Sequence, residues 1–146
     1  MIMNSGAVVS QNGYSVGNIA KDIIEYNNIT LDANSTSVNT SFSVMSVGEL
    51  GFSTDATYGD VCDKAIEKGF SLCKPENGLW LFFNDSNGFV FNDLVVAMLP
   101  LSDRDDVHYS VFRICKSNDS EYKWLGCYYG KRDRVCSVNQ KFVFTR

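Results

Sequence analysis

A chain of 146 residues, 45% of them apolar and with a formal charge of −4, can bury one core without metal or disulfide staples, and its composition is neither disordered nor fibrous. Apolar runs such as residues 94–101 are far shorter than a bilayer-crossing helix, and the first residues show neither the basic nor the apolar part of a secretory leader. The expected setting is therefore cytoplasmic, with no membrane partner. Five cysteines, none in a C-x-x-C pair, and a single histidine read as reduced core thiols; zinc would need close-spaced Cys/His pairs.

In chain order, residues 7–9 alternate around Ala7 and Val9, and Asn12-Gly13 is a turn signal, so a strand and a turn are expected first. Ser15 can cap a helix to about Tyr26, with Ile19, Ala20, Ile23 and Ile24 as its apolar stripe and Asn27-Asn28 as its end. Ile29, Leu31 and Ala33 alternate as a strand. Residues 34–41 form a Ser/Thr/Asn-rich loop, and Phe42, Val44, Met45 and Val47 begin another β-like stretch. Residues 48–57 connect onward, anchored by Leu50 and Phe52. The polar loop is the candidate boundary. Residues 1–45 read as an accessory layer on a core at 46–146 within a single domain, 1–146, because about 40 residues do not fold alone.

The most sharply punctuated stretch follows. Thr57 can cap a helix over residues 58–68, with Asp60 as a short capping-box acid. Tyr58, Val61, Cys62, Ala65 and Ile66 then recur at helical spacing. Gly69 stands where a left-handed residue closes a helix, and Phe70 covers the end. Pro75 reads as a barrier to resuming the helix, and residues 79–83 as an aromatic strand. Turn-like residues 84–88, an apolar stretch 89–101, a turn at 102–106, an alternating strand 107–115, a turn at 117–120, a strand 122–129 carrying Trp124, a turn at 130–134 and a closing strand 142–144 complete the chain. Strands joined by short polar turns predict an α+β fold: an antiparallel meander of four to six strands, covered by the 58–68 helix and by a second helix at 15–26.

Leu50-Gly51-Phe52, Ala56-Thr57, Lys68-Gly69-Phe70-Ser71-Leu72-Cys73, Pro75-Glu76, the run from Ala97 through Asp103, Phe112, Trp124-Leu125 and Phe142-Val143-Phe144 occur in an order that resembles a group of short uncharacterised bacterial proteins common in candidate phyla. The resemblance covers residues 47–146 and implies a shared domain; the group carries no function to transfer. The group tends to have Asp-x-Asp-Gly-Asp where this chain reads Asp103-Arg104-Asp105-Asp106-Val107.

Charge is unevenly placed, acidic through residue 73 and basic at the end. Tyr122-Lys123-Trp124, Tyr128-Tyr129 and Lys131-Arg132-Asp133-Arg134 mix rings with cations. Trp124, Tyr128, Tyr129, Lys131, Arg132 and Arg134 are the candidate binding residues, since cations suit phosphates and rings suit bases. The same pattern also fits inward-packed rings with a charged hairpin tip in water. Asp103, Asp105 and Asp106 with His108 are the densest potential ligands, but Val107 interrupts the alternate oxygens of a calcium loop and Arg104 adds a positive charge, so they read as a solvated turn. His108 has no nucleophile elbow to serve. Glu76 could pair with Asp85 or Asp93 only in three dimensions, and no Gly-rich phosphate cradle occurs. No metal and no cofactor are expected. With no assembled catalytic set, the favoured function is a non-catalytic module that binds another protein, of the inhibitor, immunity or mobile-element accessory type. A nucleic-acid-binding module using the C-terminal hairpin stands second. A small hydrolase built on His108 and its neighbouring acids stands third.

Overall fold

The computed structural model describes residues 14–29, 40–84, 93–102, 109–116 and 122–146. Its elements run β1 (Tyr14–Val16), α1 (Asn18–Tyr26), β2 (Phe42–Ser46), β3 (Ala56–Thr57), α2 (Tyr58–Glu67), α3 (Pro75–Asn84), β4 (Asp93–Val96), β5 (Ser110–Lys116), β6 (Lys123–Tyr129), β7 (Val135–Cys136) and β8 (Lys141–Thr145). Six strands form one sheet in the order β1-β6-β5-β4-β8-β2, and β3 pairs with β7 in a separate two-stranded sheet. The expected strand and turn before residue 14, most of the strand and loop at 29–41, the turns at 84–88 and 102–106 apart from their first residues, and the turn at 117–120 lie outside the described residues.

The fold is α+β, but the sheet is mixed rather than an antiparallel meander. Only β4, β5 and β6 follow one another as antiparallel neighbours. β1 lies parallel to β6, and β8 lies parallel to β4. The chain leaves β6 through β7, which rises off the sheet to pair with β3, and re-enters on the far side of β4. Leu94, Val95 and Val96 of β4 and Phe142, Val143 and Phe144 of β8 are buried on consecutive residues, the signature of strands covered on both faces.

The register sorts the covering helices. Leu94, Val96, Phe112, Ile114, Leu125 and Val143 share one face. On that face Gly78 of α3 sits so close to Val96 and Phe112 that an added Cβ would lie 3.2 and 3.5 Å from them, and α1 packs against β6. Val95, Phe142, Phe144 and Tyr128 share the opposite face, where Tyr58 of α2 meets Phe142 and Phe70 meets Phe144.

The helix ends show which local signals were sufficient. In α2 the Asp60 amide donates to Thr57 Oγ1 at 3.2 Å. Gly69 takes φ 96°, and the Phe70 and Gly69 amides donate to the carbonyls of Ala65 and Ile66 in a Schellman closure. Asn28, with φ 52°, closes α1 in the same way through Ile29 and Ile24. At its start α1 departs from expectation: Ser15 lies in β1, and Gly17 occupies the cap with no side-chain bond. The larger correction is residues 79–83, which are helix and not strand. Pro75 opens α3 at the first helical position, where its missing amide costs nothing, and Asn77 Oδ1 accepts from the Lys74 amide at 2.7 Å.

The buried Tyr58 hydroxyl joins α2 to the chain leaving β4, donating to the Met98 carbonyl at 2.7 Å and accepting from the Met98 amide at 3.0 Å. Tyr58→Phe removes the partner of both backbone groups without changing the ring. It is expected to lower stability by about 2 kcal/mol, read as a lower urea midpoint with an unchanged slope. An unchanged midpoint would show that this hydroxyl does not hold the layer.

Candidate functional site

On the α2 side of the sheet, the covering elements leave one row open. Register places Ser15 of β1, Trp124 of β6, Cys115 of β5 and Asp93 of β4 side by side across four strands. All four are partly or well exposed, and Trp124 keeps 37% of its surface in water. The indole lies over Gly126, two residues along the same strand: a Cβ there would sit 2.1 Å from the ring, and one at Gly17 would sit 3.1 Å from it. The two glycines are what allow the ring to lie down on the sheet.

Arg113, in register with Gly126, reaches to Asp93 in a two-pronged pair, Nε to Oδ1 at 2.7 Å and a terminal nitrogen to Oδ2 at 2.6 Å. That bond holds the guanidinium more firmly charged than usual. The open row is therefore aromatic and polar but close to charge-neutral.

The expected binding residues separate. Trp124 and Tyr128 share this face, and Arg134 stacks over the Tyr128 ring at 4.4 Å, with Arg113 at 5.9 Å. Tyr129, one residue on, projects to the opposite face beside Ser110. Lys131 lies over the exposed Tyr109 at 6.0 Å. Arg132 is committed to structure: its terminal nitrogen pairs with Asp63 of α2 at 2.6 Å, and its guanidinium covers Gly59. The carbonyls of Arg134 and Arg132 accept the Tyr58 and Gly59 amides, so the basic turn closes the start of α2. Arg113 and Gly126 were not singled out in the sequence; Asp93 was named only as a possible partner of Glu76 and Cys115 only as a core thiol, whereas Asp93 pairs with Arg113 and Cys115 is partly exposed in the row.

Asp103, Asp105, Asp106 and His108 lie outside the described residues, as does Asp85. Glu76 falls in the first turn of α3. Among the described residues no group of three or more His, Cys, Asp or Glu is placed to hold a metal ion, and no helix is long and apolar enough to cross a membrane.

The five thiols are free. Burial pushes Cys62 up to about 11, and Cys73 and Cys127 up to about 12. It also raises Cys115 and Cys136. Tyr128 is raised to about 12, first by burial and then by its bond to Cys136 Sγ. None of these thiols is an activated nucleophile at neutral pH. No protein-family model, curated protein or solved structure matches this chain.

Two measurements follow from the thiols. In the unfolded chain they ionise near the ordinary value of 9.0, whereas folded Cys62 and Cys73 hold their protons to about 11 and 12. Between those values the folded state binds more protons, so stability is full below pH 9 and falls as pH rises. The urea midpoint should be level up to that pH and decline above it, less steeply in Cys62→Ala/Cys73→Ala. Under native alkylation followed by mass spectrometry, half-exposed Cys115 should label first, and buried Cys62, Cys73 and Cys136 only as the chain opens.

Proposed function

We propose that the chain is a non-catalytic module that binds another protein in the cytoplasm, of the inhibitor, immunity or mobile-element accessory type, and that over residues 47–146 it is kin to the short bacterial proteins it resembles. The observation that carries this reading is the Trp124 indole laid flat over Gly126 in a row with Ser15, Cys115 and the Asp93–Arg113 pair. A held, partly exposed tryptophan loses little freedom on binding, and Trp, Tyr and Arg are the residue types that concentrate energy at protein interfaces. The neutrality of the row favours a protein over a polyanion. Arg113 is already paired with Asp93, Arg132 with Asp63, and Arg134 rests on Tyr128. Nucleic acid remains the second reading, because the same face carries rings beside cations.

A pull-down from source-cell lysate, with and without nuclease, tests both readings when run with wild type, Trp124→Ser and Gly126→Ala. A stoichiometric protein should survive nuclease and weaken by about 30-fold in Trp124→Ser, as for a central interface residue. Gly126→Ala keeps the indole but lifts it from the sheet, and should weaken binding alongside a shift in tryptophan fluorescence. Recovery that collapses with nuclease and falls steeply with salt would transfer the function to nucleic acid. Binding that is indifferent to both variants would remove the Trp124 row from it.

A further inference from the structure

Strand β2 is one edge of the six-stranded sheet, and its outer side has an unusual pattern of open backbone groups. The Val47 amide donates to Gln140 on the β8 side, and the Arg146 amide donates to Ser41. Odd-numbered residues of β2 therefore bond inward, and Phe42, Val44 and Ser46 direct their amides and carbonyls outward. At Ser46 both outward groups are closed by the following turn: the amide donates to Glu49 Oε1 at 2.9 Å, and the carbonyl accepts from Leu50 at 3.1 Å. Those of Phe42 and Val44 have no partner among the described residues. Residues 40–48 contain no charge and no proline, the usual guards of a sheet edge. Phe42, Val44 and Met45 are all half-exposed, and the Phe42 ring stacks on Trp80 of α3 at 5.8 Å.

We propose that β2 pairs with β2 of a second copy of this chain, antiparallel about a two-fold axis between the two Ser43 residues. In that register Phe42 of each copy lies opposite Val44 of the other, so each open amide meets an open carbonyl and all four groups on each chain are satisfied. The open run is closed off at Ser46 by Glu49, so the edge suits an equally short occupant, which its own copy supplies. Side chains agree with the pairing: Phe42 and Val44 of both copies gather on the α3 face beside Trp80, and the two serines face each other on the other side with no charge to repel. The seam is short against the roughly 1,200 Å² of a stable complex, so association depends on concentration.

The two-fold axis stands perpendicular to the merged sheet at the seam, so the two Trp124 rows belong to the same face of that sheet. β6 is four strands from β2 in each copy, and the register sets Trp124 level with Val47, so the two indoles are about 50 Å apart and the twist of about 20° per strand turns them away from one another. The pairing itself does not rest on the role proposed for Trp124, and substitutions in β2 leave that row untouched.

Sedimentation velocity of the whole chain over a dilution series tests the pairing. Wild type should rise from one-chain toward two-chain mass as concentration increases. Val44→Pro removes an outward amide but no bond to β8, and should hold one-chain mass at every concentration. Ser43→Lys and Ser43→Glu each place like charges directly opposite one another across the axis, and should each be monomeric, while their mixture regains two-chain mass. That recovery separates a lost interface from a lost fold even where Val44→Pro folds poorly. Wild type at one-chain mass throughout overturns the pairing and leaves the edge to a foreign strand. Two-chain mass that persists in Val44→Pro and in both charged variants places the contact elsewhere and overturns it equally.

Discussion

The parallel contact between β4 and β8 inside the sheet is the constraint on which the rest depends. Leu94, Val95 and Val96 lie beside Lys141, Phe142 and Val143, and apart from Lys141 these side chains are buried to either side. Two apolar faces demand two covering layers. α1 and α3 supply one; α2 with the β3–β7 pair supplies the other. Parallel neighbours also need a crossover, and between β4 and β8 the chain makes β5, β6 and β7 before returning. A meander would have left one face in water, with polar residues alternating into β8; the sequence Phe142-Val143-Phe144 leaves no room for that alternation.

The covering layer on the α2 side stops short of one end of the sheet, and the Trp124 row is what remains. Its character is set by residues that look structural. Gly126 and Gly17 let the indole lie down, and Asp93 occupies the guanidinium of Arg113. The basic turn after β6 is similarly occupied. By accepting the first amides of α2 and placing Arg132 across Gly59 to reach Asp63, it fastens the helix to the sheet. Clustered cations in a sequence suggest a polyanion, but here two of them first solve a folding problem, closing a helix start and covering a buried phenol ring.

What the sequence revealed follows the range of the interactions. Thr57, Asp60 and Gly69 act within one helix on neighbours three to five residues away, so α2 and both its ends were legible. Asn28 was legible as a stop for the same reason. Pro75 was misread because proline blocks a helix from within yet opens one at its first position; Asn77 decided between the two by capping backward onto Lys74. Leu79 through Phe83 satisfies strand and helix patterns alike, being apolar throughout. The mixed sheet was not legible, because the parallel pairing of β8 with β4 joins residues 47 positions apart at Leu94 and Lys141. For the candidate site, residue types were visible and their placement was not. Tyr128 and Tyr129 are adjacent in sequence and on opposite faces of β6, and Trp124 meets Cys115 and Ser15 only through the register of three strands.

The two edges of the sheet differ in a way that bears on both proposals. β1 is three residues long, and immediately after it Gly17 donates to Leu125 and the chain turns into α1, leaving little edge to extend. β2 is five residues long and, among the described residues, carries only the Glu49 stop at one end. Growth of the sheet is therefore directed to one side, and a symmetric pairing there consumes the open edge and terminates, where a head-to-tail contact would continue into a filament. Over the nine strand spacings between the two β6 strands, the twist of the merged sheet turns the Trp124 rows away from one another, so each row meets its own target. The dimer therefore doubles the number of sites without joining two of them on one target.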